Sequence, residues 1–207
     1  MDKKSGIIII DYDMGNIRSI LNKIHRVGYE AIVTDENDLI KTARKLILPG
    51  VGHFQNGMKK LKEKKLIEIL NIKVLEEKTP ILGICLGMQL FTRISEEGNA
   101  EGLGWLNAET VKFTLSDIRH KVPHMGWNSL NKMKESPLFL DLPMDSQYYF
   151  VHSYHVRCNE NEDILSTTQY GYEFVSAVQK GNIFGTQFHP EKSHEWGEKL
   201  IYNFLNL

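Results

Sequence analysis

Cys85 is one of two cysteines in a chain of 207 residues, and its neighbours single it out. It stands in Gly83-Ile84-Cys85-Leu86-Gly87, after the apolar run Pro80–Leu82. A strand, then Gly-x-Cys-x-Gly, then a helix is the cysteine form of a nucleophile elbow. Such a turn lifts the sulfur above the strand end and sets it at a helix N-terminus, whose partial positive charge favours a thiolate. The glycines fit a turn too crowded for a Cβ. A small cysteine buried among apolar neighbours is the alternative reading of the same residue.

A thiolate nucleophile needs a base, and the base needs an orienting group. His189 and Glu191, either side of Pro190, can supply both. Side chains two residues apart leave the same face of an extended backbone, and Pro190 biases His189 toward that geometry. Leu48-Pro49-Gly50-Val51-Gly52 adds a glycine loop after an apolar run. Its backbone N–H groups can be aimed at developing negative charge, as in an oxyanion hole. Together these parts have the chemistry of acyl transfer.

The elements that must position them follow from the hydrophobic pattern. Ile7–Ile10 reads as a strand buried on both faces. Ile17, Ile20, Leu21, Ile24 and Val27 form a helical stripe closed by Gly28. Residues 30–34 and 45–48 read as further strands, 54–63 and 66–78 as helices, 81–84 as a fourth strand, and Leu86–Arg93 as the next helix. Alternating strands and helices imply a parallel sheet covered on both faces. The second half is strand-rich, over 108–115, 120–130, 147–156, 164–169, 173–179 and 183–188, before a helix at about 195–204. The expected fold is α/β: an open, mostly parallel sheet flanked by helices, with an antiparallel extension. With no repeat or linker to divide it, the chain reads as a single domain over 1–207.

Composition removes several function classes. Hydrophobic residues make up 42% and charged residues 25%, enough for one large core. The formal net charge of −1 offers no field for nucleic acid or an anionic membrane. The basic cluster Lys59–Lys65 contains Glu63 and reads as a solvated helix face. Cys85 and Cys158 lie in no metal-ligand spacing and make no disulfide framework, which points to a reducing cytoplasm. The leader-like start has an apolar stretch of only Ile7–Ile10, too short for export or a membrane span. His124, His152 and His155 could suggest a metal, but no carboxylate shares their spacing; no metal and no cofactor are expected.

These motifs resemble the class I glutamine amidotransferase family over nearly the whole chain. Within it, "PGVG", "PHMGWN" and "FVHSYH" are similar to the glutaminase subunits of imidazole glycerol phosphate synthases. The resemblance implies that Cys85 attacks the carboxamide of L-glutamine, that His189 moves the protons, and that Glu191 holds His189. It implies an oxyanion hole from Leu86 N–H and the Gly50–Val51–Gly52 loop. Gln89 and His152–Ser153–Tyr154 would hold the amino-acid end of glutamine. Asn16, Tyr149 and Lys192 match positions facing the partner, a (β/α)8-barrel synthase or cyclase subunit that receives the ammonia. Two places depart from the family pattern: Asp13, where glycine is usual, and His194 with Trp196, where glycine and smaller residues are common. Related amidotransferases of surface-sugar pathways deliver ammonia to another acceptor, and a stand-alone cysteine hydrolase is a further reading.

Overall fold

The computed structural model describes residues 6–116 and 120–207, so the first five residues of the leader-like start lie outside the described part. Strand β1 (Ile7–Ile10) shows why four consecutive isoleucines form a central strand. Successive side chains point to opposite faces. Ile7 and Ile9 enter one buried cluster with Ile47, Leu82, Ile84 and Phe184. Ile8 and Ile10 enter another with Leu46, Leu48, Ile81 and Ile183. A strand that feeds two cores has no solvent face, so its sequence shows no polar alternation. Burial of each isoleucine contributes roughly 1.5–3 kcal/mol.

The chain continues through α1 (Ile17–Arg26), β2 (Ala31–Thr34), α2 (Asn37–Lys41), β3 (Lys45–Leu48), α3 (Phe54–Glu63), α4 (Leu66–Asn71) and β4 (Ile81–Ile84). Then come α5 (Leu86–Gln89), β5 (Ile94–Ser95), β6 (Ala100–Glu101), β7 (Ala108–Lys112), β8 (His124–Ser129) and β9 (Asn131–Lys132). The last elements are β10 (Gln147–His152), β11 (Tyr154–Cys158), β12 (Ile164–Tyr170), β13 (Tyr172–Lys180), β14 (Ile183–Thr186) and α6 (His194–Leu205). Helices cover both faces of the sheet. Ile20 and Ile24 of α1 and Leu200, Ile201 and Phe204 of α6 join the first core; Leu61, Leu66, Ile69 and Leu70 of α3 and α4 join the second.

The expected mixed sheet is present. Strands β2-β1-β3-β4-β14 are parallel throughout, and β13, β11 and β7 extend them antiparallel. The decisive pairing is the return of β14 beside β4, with Ile84 opposite Thr186. The residues that leave these two strand ends are Cys85 on one side and Gln187 to His189 on the other.

Three element readings need correction. The helix expected over Leu86–Arg93 ends at Gln89. The carbonyls of Leu90, Phe91, Thr92 and Arg93 accept from the N–H groups of Leu103, Leu106, Gly104 and Gly102, so the returning chain replaces the helical partners. The helix expected over 66–78 is α-helical only to Asn71 and continues as a π-turn over Ile72–Glu76. The segment read as one strand over 147–156 is two. β10 pairs with β8 in a separate ribbon, β11 joins the main sheet, and Ser153 breaks the run with its carbonyl taken by Phe113 N–H. The short α2, β5 and β6 were not anticipated. Among the described residues no helix is long and apolar enough to cross a membrane.

Candidate active site

Cys85 occupies the turn between β4 and α5 with φ 53 and ψ −107, a conformation that a side-chain-bearing residue rarely adopts. Crowding accounts for the flanking glycines. A Cβ on Gly83 would come within 2.6 Å of the Phe91 ring, and one on Gly87 within 1.9 Å of the Leu48 carbonyl oxygen. Cys85 N–H donates to the Thr186 carbonyl at 2.7 Å, tying the elbow to the end of β14. Because α5 is a single turn, its dipole helps a thiolate less than a full helix would.

His189 is almost fully buried, and its Nδ1 lies 2.8 Å from Glu191 Oε1. A carboxylate can only accept here, so Nδ1 carries the proton and Nε2 is the ring nitrogen left for a second partner. Among the described residues Nε2 has no hydrogen-bond partner, and His189 and Cys85 line the same cavity. Burial by itself would lower the imidazole pKa. The nearby Cys85 sulfur and the Glu191 carboxylate more than reverse this and lift it to about 10. These two neighbours therefore favour the imidazolium form of His189.

The glycine loop lies against the elbow, but with a carbonyl inward. Leu86 N–H donates to the Gly50 carbonyl at 3.4 Å. In this orientation the Gly50–Val51 peptide presents its oxygen, not a donor, to the Leu86 amide. Gly52 takes φ 114, and Val51 is exposed.

A cavity of about 320 Å³ opens over the sulfur, with Val51, Leu86, Gln89 and the segment Val151–Tyr154 in its walls. Gln89 donates through Nε2 to the Tyr154 carbonyl at 2.9 Å, which joins two of the expected substrate contacts. Glu97 also lines this cavity and was missed in the sequence reading. One of its oxygens accepts from Phe54 N–H at 2.7 Å, at the start of α3. It sits in the turn between the two-residue strands β5 and β6, where no local pattern marks a functional carboxylate. Gln187, fully buried beside Cys85, was missed as well.

Of the positions expected at a partner face, Tyr149 and Lys192 come together, with Lys192 Nζ 5.4 Å from the Tyr149 ring centre. Both adjoin the base, because His189 N–H donates to the Tyr149 carbonyl at 2.9 Å. Asn16 precedes α1 and makes no side-chain cap. Two of the departures from the family pattern, Asp13 and His194, share a backbone feature. Asp13 has φ 64 and His194 φ 46, values at which glycine is unstrained. Each makes contacts that a glycine could not: Asp13 pairs with Lys60 and Lys64, and His194 stacks on Trp127 at 4.7 Å. Lys59, Lys60 and Lys64 of the basic cluster pair with Glu63, Asp13 and Asp35, respectively.

His124, His152 and His155 do converge, around Phe113. His152 Nδ1 faces the Tyr154 carbonyl at 2.7 Å, and its Nε2 lies 3.0 Å from His124 Nδ1. Burial holds His152 well below the ordinary imidazole range and His124 at about 4, so both are neutral. No metal-binding group of His, Cys, Asp or Glu occurs among the described residues. Burial pushes the Cys158 thiol up to about 12, which makes it unreactive at neutral pH.

Residues 8–207 match the family described as glutamine amidotransferase class-I. The chain is 57% identical to imidazole glycerol phosphate synthase subunit HisH 2 of Methanococcus maripaludis, covering 96% of this chain and 98% of the relative. It is 46% identical to subunit HisH 1 of the same organism, covering 97% and 99%. A chain of the solved structure of PurLQS from Thermotoga maritima has the same fold, with a TM-score of 0.73 at 20% identity and 97% of each chain covered. The family match reaches from β1 to Leu207 and is not confined to the elbow, so the chain belongs to the class I glutamine amidotransferases.

Proposed function

We propose that this chain acts as the glutaminase subunit of imidazole glycerol phosphate synthase. It hydrolyses L-glutamine to glutamate and ammonia, as one domain over 1–207, and hands the ammonia to a (β/α)8-barrel cyclase subunit in histidine biosynthesis. The observation that carries the reading is the buried His189–Glu191 pair facing the Cys85 cavity. The cavity is at the small end of the roughly 300–1,000 Å³ range of small-molecule sites, which suits one amino acid.

In the proposed reaction the Cys85 thiolate adds to the carboxamide carbon. Leu86 N–H and an N–H of the Gly50–Val51–Gly52 loop, once its carbonyl has turned out, stabilise the oxyanion. The His189 imidazolium gives its proton to the departing nitrogen, the C–N bond breaks, and ammonia leaves a thioester. Water then adds to the thioester as His189 takes its proton, the C–S bond breaks, and glutamate and the thiolate are restored. Gln89 and His152–Ser153–Tyr154 hold the amino-acid end, and the free Glu97 oxygen pairs with the α-ammonium. No cofactor or metal is needed for these steps.

Free ammonia is mostly protonated at neutral pH and then no longer a nucleophile, which supports direct transfer across the face bearing Asn16, Tyr149 and Lys192. Two free cysteines are compatible with a cytoplasmic setting. The test is glutamate release by the chain mixed with a histidine-pathway barrel subunit and its substrate. Activation by that subunit is the expected result, and absence of activation overturns the reading. One observation favours a second acceptor: His194, a departure from the family pattern, stacks on Trp127, which packs against Tyr149 of the expected partner face. A surface-sugar barrel synthase that activates the chain in place of the histidine-pathway subunit would select that reading.

A further inference from the structure

Gln187 is fully buried, two residues before His189, and its Nε2 lies 3.6 Å from Cys85 Sγ. The orientation of its carboxamide is set by a chain of hydrogen bonds. The Tyr154 carbonyl can only accept, so the Gln89 nitrogen must face it, at 2.9 Å. A second hydrogen of that nitrogen goes to Gln187 Oε1 at 3.0 Å. The nitrogen of Gln187 is thereby turned to the sulfur.

The surroundings of the sulfur are unequal for its two protonation states. As a thiol it would donate toward the Val151 carbonyl at 4.0 Å, a long contact. As a thiolate it accepts from Gln187 at shorter range, and a hydrogen bond to a charged acceptor is about twice as strong as a neutral one. We infer that Gln187 is a catalytic residue of the half-reaction at Cys85: its side-chain N–H, aimed by Gln89, stabilises and orients the thiolate. Gln89 also contacts the cavity where glutamine would bind, so the same pair of carboxamides connects the substrate pocket to the nucleophile. This inference rests on the proposed role of Cys85 as the nucleophile.

The test is the pH dependence of Cys85 alkylation by iodoacetamide, followed by peptide mass so that Cys158 is read separately. The wild-type midpoint is the reference. Gln187→Met removes the donor at similar length, and Gln187→Glu keeps the acceptor for Gln89 but removes the donor. Both should move the midpoint up by about one pH unit, roughly a tenfold loss of thiolate below the midpoint. A folded variant with the wild-type midpoint overturns the inference. A wild-type Cys85 that is alkylated no faster than Cys158 overturns the nucleophile reading itself, so the two failures are distinguishable. A second measurement needs no variant of Gln187. In the wild-type chain, the side-chain amide resonances of Gln187 should titrate with the same midpoint as alkylation and stop titrating in Cys85→Ser. Resonances that ignore the sulfur overturn the inference.

Discussion

The Gly50 carbonyl accepts from Leu86 N–H at 3.4 Å, and this one contact occupies the amide expected to stabilise an oxyanion. With the carbonyl inward, the loop would oppose the oxyanion of the proposed reaction. Turning the Gly50–Val51 peptide would replace an acceptor by a donor without moving the strands. A missing oxyanion donor costs roughly 10²–10³ in rate. The isolated chain should therefore hydrolyse glutamine at least about a hundredfold more slowly than the complex with barrel partner and acceptor substrate. Steady-state glutamate release measures this, and full activity of the isolated chain would refute the gate.

Cys85→Ala should abolish glutamine hydrolysis and leave the melting temperature nearly unchanged, because alanine has the same Cβ at φ 53. Cys85→Gly should be equally inactive yet more stable, by about 1 kcal/mol, since strain of this kind costs of order 1–3 kcal/mol. Thermal denaturation of the pair separates strain at the elbow from loss of the thiol. With ammonium salts supplied, complexes of either variant should still aminate the acceptor.

Glu191→Gln should reduce kcat less than His189→Ala, because it disturbs the orienter and leaves the base. It also has a pH signature. The Glu191 carboxylate helps raise the His189 pKa to about 10. Without that charge the imidazolium deprotonates at lower pH, so the alkaline limb of kcat should move down. A pH–rate profile with an unmoved alkaline limb would contradict the assignment.

Glu97→Gln should raise KM for glutamine about tenfold or more with a smaller change in kcat, the pattern of lost ground-state binding. A glutamine side chain retains an oxygen for Phe54 N–H, so the start of α3 should stay intact. Circular dichroism checks the helix and initial-rate kinetics the split. A fall in kcat alone would place Glu97 elsewhere in the mechanism.

Features with a local physical cause were legible in the sequence. Ile7–Ile10 could only be a two-faced strand, and Gly83 and Gly87 marked a turn with no room for a Cβ. The extended backbone expected from His189 to Glu191 is not what forms: His189 is extended, but Pro190–Lys192 make a 3-10 turn, and that turn folds Glu191 back onto His189. The proposed triad of Cys85, His189 and Glu191 was named from such signals, because backbone sterics and side-chain periodicity act within a few residues. The placement of β14 against β4 was decided by packing of the complete sheet, and that pairing is what brings Cys85 to Gln187 and His189. The capture of the Leu90–Arg93 carbonyls that shortened α5 likewise comes from a segment nine to fifteen residues downstream. Glu97 and Gln187 looked like ordinary polar residues, because their roles depend on partners tens of residues away. The direction of the Gly50 carbonyl depends on one peptide plane, which two orientations of the same Gly-Val-Gly sequence could satisfy; only the packed structure selects between them.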